Sequence, residues 1–216
     1  MYNIIFSDRD GTVNRDENYF LGASVNWKSQ VEFLPGVVEG IRVINQIPDS
    51  YFFILTNQSG VSLEGGDFDN LTFERMKEVN DFILKRLRKK RLKIENYFAC
   101  PFVDSDYVDK ARKKGRVVNS SYVYDGHPDL KPNFGMVEKA LKSLGVSKDK
   151  CNVFMIGDRV SDIEMILNYG GVGILVESDK TFELGDREKV LKLSGDVYIA
   201  KDFLDAANYI RNYVSR

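Results

Sequence analysis

Apolar residues along this chain come in two rhythms. Short unbroken runs, such as Ile4-Ile5-Phe6, Tyr51-Phe52-Phe53-Ile54-Leu55 and Val153-Phe154-Met155-Ile156, have the length and side-chain types of buried strands. Ile94 to Phe98, Gly170 to Val176 and Val197 to Ile199 predict further strands of the same kind. Between them, apolar positions recur at helical spacing: Val37, Val38, Ile41 and Ile44; Phe73, Met76, Val79, Ile83 and Leu87; Val137, Ala140, Leu141 and Leu144; Phe203, Ala206, Ala207, Ile210 and Val214. Punctuation agrees with these periods. Pro35-Gly36 precedes the first helix, Thr72 is placed to cap the second, and Gly145 stops the third. Ser161 and Glu164 fit a capping box for a helix after the Val153 strand.

Strands alternating with helices predict an α/β fold: a three-layer, Rossmann-like, mostly parallel sheet with helices on both faces. The whole chain, 1–216, reads as a single domain. One segment breaks the rhythm. From about residue 101 to 129 there is no sustained period, and charges and tyrosines crowd together, so it reads as an insertion or elaborate loop with a hairpin around Val117 to Tyr124.

Composition narrows the classes. A formal net charge of -1 and a pI of about 6.0 give the molecule no strong overall field for nucleic acid or anionic membrane. No apolar run approaches bilayer length. A charged motif arrives at Asp8 within a few residues of the start, which argues against a leader and for a cytoplasmic protein. Cys100 and Cys151 are the two cysteines, too few and too far apart for a disulfide framework or an all-cysteine metal site.

The polar motifs gather where the predicted strands end. Ligands in such sheets bind beyond the carboxyl ends of the strands. Asp8 and Asp10 follow the first strand, and the turn at Gly11 lets the second carboxylate swing over the first. That supplies a nucleophile and a proton donor for one phosphorus atom. Two close carboxylates repel, and a divalent cation relieves the repulsion; hard oxygen ligands select Mg²⁺. Thr56 and Asn57 follow the second strand and can grip phosphate oxygens. Lys131 precedes a helix and can offset phosphate charge. Asp158 ends the fourth strand and could complete the metal shell, with Asp162 behind it orienting water or holding Lys131. Each piece alone also fits a bland role: a surface Asp-x-Asp, a polar turn, a solvated lysine, a carboxylate favoured at a helix start. The set is what points to chemistry.

Four stretches in order, Asp8-Arg9-Asp10-Gly11-Thr12-Val13-Asn14, Thr56-Asn57-Gln58-Ser59-Gly60, Lys131-Pro132-x-x-Gly135-Met136 and Gly157-Asp158-x-x-x-Asp162, resemble the ordered motifs of the haloacid dehalogenase superfamily. Asn18-Tyr19-Phe20 and Phe33-Leu34-Pro35-Gly36 extend the similarity toward the branch holding heptose bisphosphate and histidinol-phosphate phosphatases. The resemblance implies a Mg²⁺-dependent phosphatase with Asp8 as nucleophile and Asp10 as acid/base. It implies a cation held by Asp8, the Asp10 carbonyl and Asp158, and phosphate contacts from Thr56, Asn57 and Lys131. A small phosphorylated metabolite, such as a sugar phosphate, is the expected partner.

The chain departs from that branch in three places. Val61-Ser62-Leu63-Glu64-Gly65-Gly66 lacks the usual Arg-Gly pair and adds an acid, which weakens recognition of a second phosphate by that segment. Of the branch's zinc loop only Cys100-Pro101 and His127 remain, short of four soft ligands. Leu130 stands where an arginine commonly precedes the lysine, and the segment before it is long. Tyr107, Tyr122, Tyr124 and His127 in this segment are candidates for a wall over the substrate.

Two rival readings follow from other features. Lys85 to Lys93 and Lys110 to Arg116 are basic, and polynucleotide 3'-phosphatases share similar motifs, so a DNA-end or nucleotide phosphatase is the first rival. A phosphoacceptor or binding module without turnover is the second; it would not need Asp10.

Overall fold

The computed structural model describes residues 1–15 and 20–215, so Asn18 and Tyr19 of the motif quoted above lie outside the described residues. Strands β1 (Tyr2–Ser7), β2 (Ser50–Asn57), β4 (Asn96–Cys100), β6 (Cys151–Gly157), β7 (Val172–Val176) and β8 (Val197–Ala200) form a six-stranded sheet in the order β4-β2-β1-β6-β7-β8. Every neighbouring pair is parallel. The two-residue strands β3 (Leu63–Glu64) and β5 (Val117–Val118) pair separately and antiparallel.

Helices cover both faces because strand side chains alternate sides and both sets are apolar. Ile5, Phe52, Ile54, Phe154 and Ile156 pack with α2 (Val37–Asn45), α3 (Phe73–Lys89) and α9 (Phe203–Val214), beside the short α1 (Trp27–Gln30); the short α7 (Asp179–Glu183) and α8 (Asp186–Val190) lie between β7 and β8 in the chain. Ile4, Phe6, Phe53, Leu55 and Met155 pack on the opposite face with α5 (Gly135–Leu144) and α6 (Val160–Tyr169). Ile4, Ile5, Phe6, Ile54 and Phe154 are completely buried, each contributing about 1.5–3 kcal/mol of transfer free energy. The three-layer α/β arrangement matches the periodicity. Among the described residues no helix is long and apolar enough to cross a membrane.

Local differences from expectation have simple causes. The third strand starts at Asn96, because Ile94 turns into the α3 side of the core. Thr72 caps α3 as expected, accepting from the Arg75 backbone N–H at 3.1 Å. The start of α6 is shifted: its cap is Arg159, whose N–H is taken at 3.2 Å by the Asp162 carboxylate, so Ser161 and Glu164 lie inside the helix. The 101–129 segment holds a helix that periodicity missed, α4 (Ser105–Lys113), which buries only Ala111 and so leaves no apolar stripe to read. Nor does it contain the expected hairpin. Val117-Val118 pairs with β3 from the 60s loop, while Val123 bridges to Val103.

Candidate active site

The carboxyl ends of β1, β2 and β6 meet at the centre of the sheet, where parallel order makes their polar residues converge. Asp8 leaves β1 with its backbone N–H bonded to the Ile156 carbonyl at 2.8 Å. Lys131, just ahead of α5, reaches under it. Its Nζ donates to Asp8 Oδ1 at 2.6 Å, to Asp162 Oδ1 at 2.6 Å and to the Leu55 carbonyl at 3.1 Å. All three ammonium protons are therefore used. Lys131 and Asp8 are buried, and Asp162 is completely so. Burial pulls the lysine toward neutrality, but Asp162 and Asp8 outweigh it and hold it firmly charged, above the usual lysine range.

Asp158 completes the cluster. Ser178 donates to its Oδ2 at 2.7 Å, and Thr181 donates to its main-chain carbonyl at 2.7 Å. Its Oδ1 is buried without a partner. Asp8, Asp158 and Asp162 each place a carboxylate oxygen within 4.8 Å of the others, with a single ammonium among them. Burial, and after it the excess negative charge, shows in proton affinity. Burial, then Asp162, pushes Asp158 up to about 7. Burial raises Asp8 well above the carboxylate range, against the pull of Lys131. Such a cluster fits a hard divalent cation, which removes the repulsion and satisfies the orphaned oxygen. Asp162 has both oxygens engaged, one by Lys131 and one by the Arg159 N–H, so it supports the lysine.

Glycines make the close approach feasible. Gly11 turns the chain at φ +86°, and a Cβ there would fall 2.4 Å from Asp158 Oδ2. At Gly157 a Cβ would fall 2.4 Å from Asp162 Oδ2.

Asp10 is held in a way the sequence reading did not foresee. Arg9, 1% exposed, donates to its two oxygens at 2.9 and 2.6 Å. Asn14 and Gln58 add bonds at 3.0 and 2.8 Å. Arg9 is itself fixed by Asn80 of α3 at 2.9 Å. Burial opposes ionisation of Asp10, yet Arg9 and these donors keep its carboxyl below the ordinary value.

Thr56 is buried, and its hydroxyl accepts from Gln58 at 2.8 Å. The Asn57 side chain exchanges bonds with the Lys131 main chain, at 3.4 and 3.2 Å, and so fastens the lysine loop to β2.

Above these groups opens a cleft of about 700 Å³, lined among others by Asp8, Asp10, Thr56, Asn57, Lys131 and Asp158. Of the four aromatic candidates for its wall, Tyr107 lines it and Tyr122, Tyr124 and His127 do not. Phe102 gathers those three instead: His127 stacks on it at 4.3 Å and 19°, with Tyr122 at 6.0 Å and Tyr124 at 6.4 Å. These contacts pack the segment down, with Tyr124 still more than half exposed. Cys100 lies buried beside this cluster, 3.8 Å from His127.

Comparison with known proteins agrees with the geometry. The HAD-hydrolase-like family model matches residues 130–206. A D-glycero-alpha-D-manno-heptose-1,7-bisphosphate 7-phosphatase of Campylobacter jejuni is 30% identical over 181 residues, covering 82% of this chain and 83% of that one. The chain belongs to the haloacid dehalogenase superfamily of phosphatases. Within it, the chain is related to the heptose-1,7-bisphosphate branch; a Rhodopseudomonas palustris 7-phosphatase of the beta series is 29% identical, covering 81% of this chain and 83% of its own. In fold, a B. bronchiseptica D,D-heptose bisphosphate phosphatase solved with magnesium and phosphate superposes with a TM-score of 0.70 at 23% identity, over 99% of both chains.

Several supporting residues of this phosphatase escaped the sequence reading. Arg9 carried one signal, an arginine between two aspartates at a strand end, where burial forces it to pair. Asn80, Ser178 and Thr181 carried none, because each arrives from a distant element.

Proposed function

We propose that the chain is a Mg²⁺-dependent phosphomonoesterase that carries the phosphoryl group on Asp8. The observation that supports this most is the buried set of Asp8 and Asp158 at the ends of β1 and β6, Asp162 at the start of α6 and Lys131 ahead of α5, with more negative charge than one lysine offsets. Asp8, the Asp10 carbonyl and the open oxygen of Asp158 would hold the cation. When bound, Mg²⁺ supplies the positive charge that offsets carboxylate repulsion and the phosphate oxygens.

Lys131 fixes Asp8 by one oxygen and leaves the other to attack phosphorus in line. The bond from phosphorus to the alcohol oxygen breaks, and Asp10 gives that oxygen a proton. Water then attacks the same phosphorus while Asp10 takes its proton back, releasing inorganic phosphate and Asp8. In the grip of Arg9, Asp10 is ionised, the form needed for this second half. For the first half it loosens from Arg9 toward the incoming phosphate, whose negative charge raises its proton affinity. Thr56, with the turn that follows it, contacts the phosphate oxygens, and Asn57 keeps Lys131 in place.

The substrate is a small sugar phosphate, heptose bisphosphate-like or histidinol phosphate-like. Relatives named as heptose bisphosphate 7-phosphatases and a cleft of small-molecule size support this. The chain acts as one domain, with the 101–129 segment as a side wall of the cleft. The test is a panel of phosphorylated metabolites with and without Mg²⁺, including p-nitrophenyl phosphate. Metal-dependent release of phosphate is expected, and failure across the whole panel would sink the reading.

A further inference from the structure

The basic run in the inserted segment has a place that the phosphoryl-transfer chemistry does not use. Lys110 and Lys114 on and after α4, and Arg116 before β5, line the same cleft as Asp8 and Lys131. The four other cations of that cleft have partners: Arg9 is held by Asp10, Lys131 by Asp8 and Asp162, Arg159 by Asp186, and Lys180, which follows β7, has an interaction of its own. No acidic side chain among the described residues pairs with Lys110, Lys114 or Arg116. The one extra acid on that wall, Asp104, faces the start of α4, where it accepts from the Tyr107 N–H at 2.8 Å.

One of the three charges is also fixed in position. Arg116 lies over the rings of Phe20 and Phe68, 5.1 and 5.5 Å from their centroids, and those rings meet edge to face at 5.2 Å. The β3–β5 pairing and a bond from the Asn119 N–H to the Ser62 carbonyl, 2.8 Å, tie the segment to the loop after β2. A guanidinium on an aromatic platform keeps its edge donors free for an anion.

We infer that Lys110, Lys114 and Arg116 form an anion subsite across the cleft from Asp8, selecting substrates with a second phosphate remote from the scissile one. The inference rests on the function proposed above and adds to it the residues that set specificity. A branch arginine is absent at Leu130, and the cations here come from the inserted segment. A polynucleotide end is the less favoured ligand, because the three cations line a cleft of about 700 Å³, which is of metabolite size.

The test compares kcat/KM for fructose 1,6-bisphosphate, fructose 1-phosphate, fructose 6-phosphate and p-nitrophenyl phosphate, with a 3'-phosphorylated oligonucleotide as a further arm. The wild-type protein is expected to prefer the bisphosphate over either monophosphate. In a Lys110→Ala/Lys114→Ala/Arg116→Gln variant that preference falls about 30-fold, carried by KM for the bisphosphate. Lys110→Arg/Lys114→Arg retains it, and Lys85→Ala/Lys89→Ala, outside the cleft, does not change it. The inference is overturned if the triple variant keeps the preference, if the α3 pair lowers it equally, or if the wild type hydrolyses esters without favouring a second phosphate. Preference for the oligonucleotide, lost in the triple variant, would replace the metabolite with nucleic acid. A wild type inert toward every ester, p-nitrophenyl phosphate included, would instead fell the phosphatase reading itself.

Discussion

The floor and the wall of the cleft are made in opposite ways. The floor is buried and crowded: Asp8, Lys131, Asp158 and Asp162 stand on central parallel strands or directly beside them, with nearly every polar atom committed. The wall is exposed, carried by a helix that buries one alanine and held by a two-residue strand pair. Charge is over-supplied with one sign in the floor and with the other in the wall. A buried, hydrogen-bonded network of charges holds its members in one arrangement, as bond making at phosphorus requires. Long solvated cations on a thin element give attraction and selectivity without that precision.

Removing the nucleophile should expose the difference most. Asp8→Asn is expected to lower p-nitrophenyl phosphate turnover on the order of 10⁴-fold or more, and to abolish any protein-bound phosphoryl group trapped by acid quench. Lys131→Met breaks a buried pair and leaves Asp8 and Asp162 uncompensated. Loss of about 3–5 kcal/mol is expected, read as a lower midpoint in thermal unfolding, with kcat reduced as well. Asp10→Asn is expected to cost about 10²–10⁴-fold in kcat, measured at saturating substrate; unaltered steady turnover would remove its acid/base role.

The pH response sharpens the charge comparison. Asp158, raised by burial and Asp162 to about 7, keeps its proton in the folded protein after the unfolded chain has lost it. Its contribution to stability without metal is therefore full below the ordinary carboxylate range and declines as pH rises toward 7. Mg²⁺ should bind weakly at pH 6 and more tightly at pH 8, and should raise the unfolding midpoint more at pH 8. Calorimetric titration of Mg²⁺ at the two pH values checks this; equal affinity would contradict it. The smallest effect belongs to the wall. Val118→Pro should loosen the β3–β5 pairing, speeding hydrogen exchange in 105–118 while β1 and β6 stay protected, with a stability change of about 1 kcal/mol or less.

Legibility followed the same divide. The strands of the sheet were readable because runs such as Ile4-Ile5-Phe6 are apolar on both faces, and helices such as α2 and α9 show one clear stripe. The catalytic candidates were readable because polar residues interrupt such runs at their carboxyl ends. The 101–129 segment carries no such pattern. α4 has almost nothing to bury, and β5 finds its partner some fifty residues upstream, so neither leaves a local period.

The amino-acid order alone determined the α/β layering and the identity of the groups at the strand ends, because burial and turn chemistry act on neighbours in sequence. Only tertiary structure decided which of those groups meet. It set Lys131 between Asp8 and Asp162, gave Asp10 to Arg9 and Asn80, turned Tyr122, Tyr124 and His127 onto Phe102, and brought Lys110, Lys114 and Arg116 to the cleft. Each of these is a contact between distant parts of the chain, and such contacts depend on packing and on the pairing of buried charge, which no local pattern encodes.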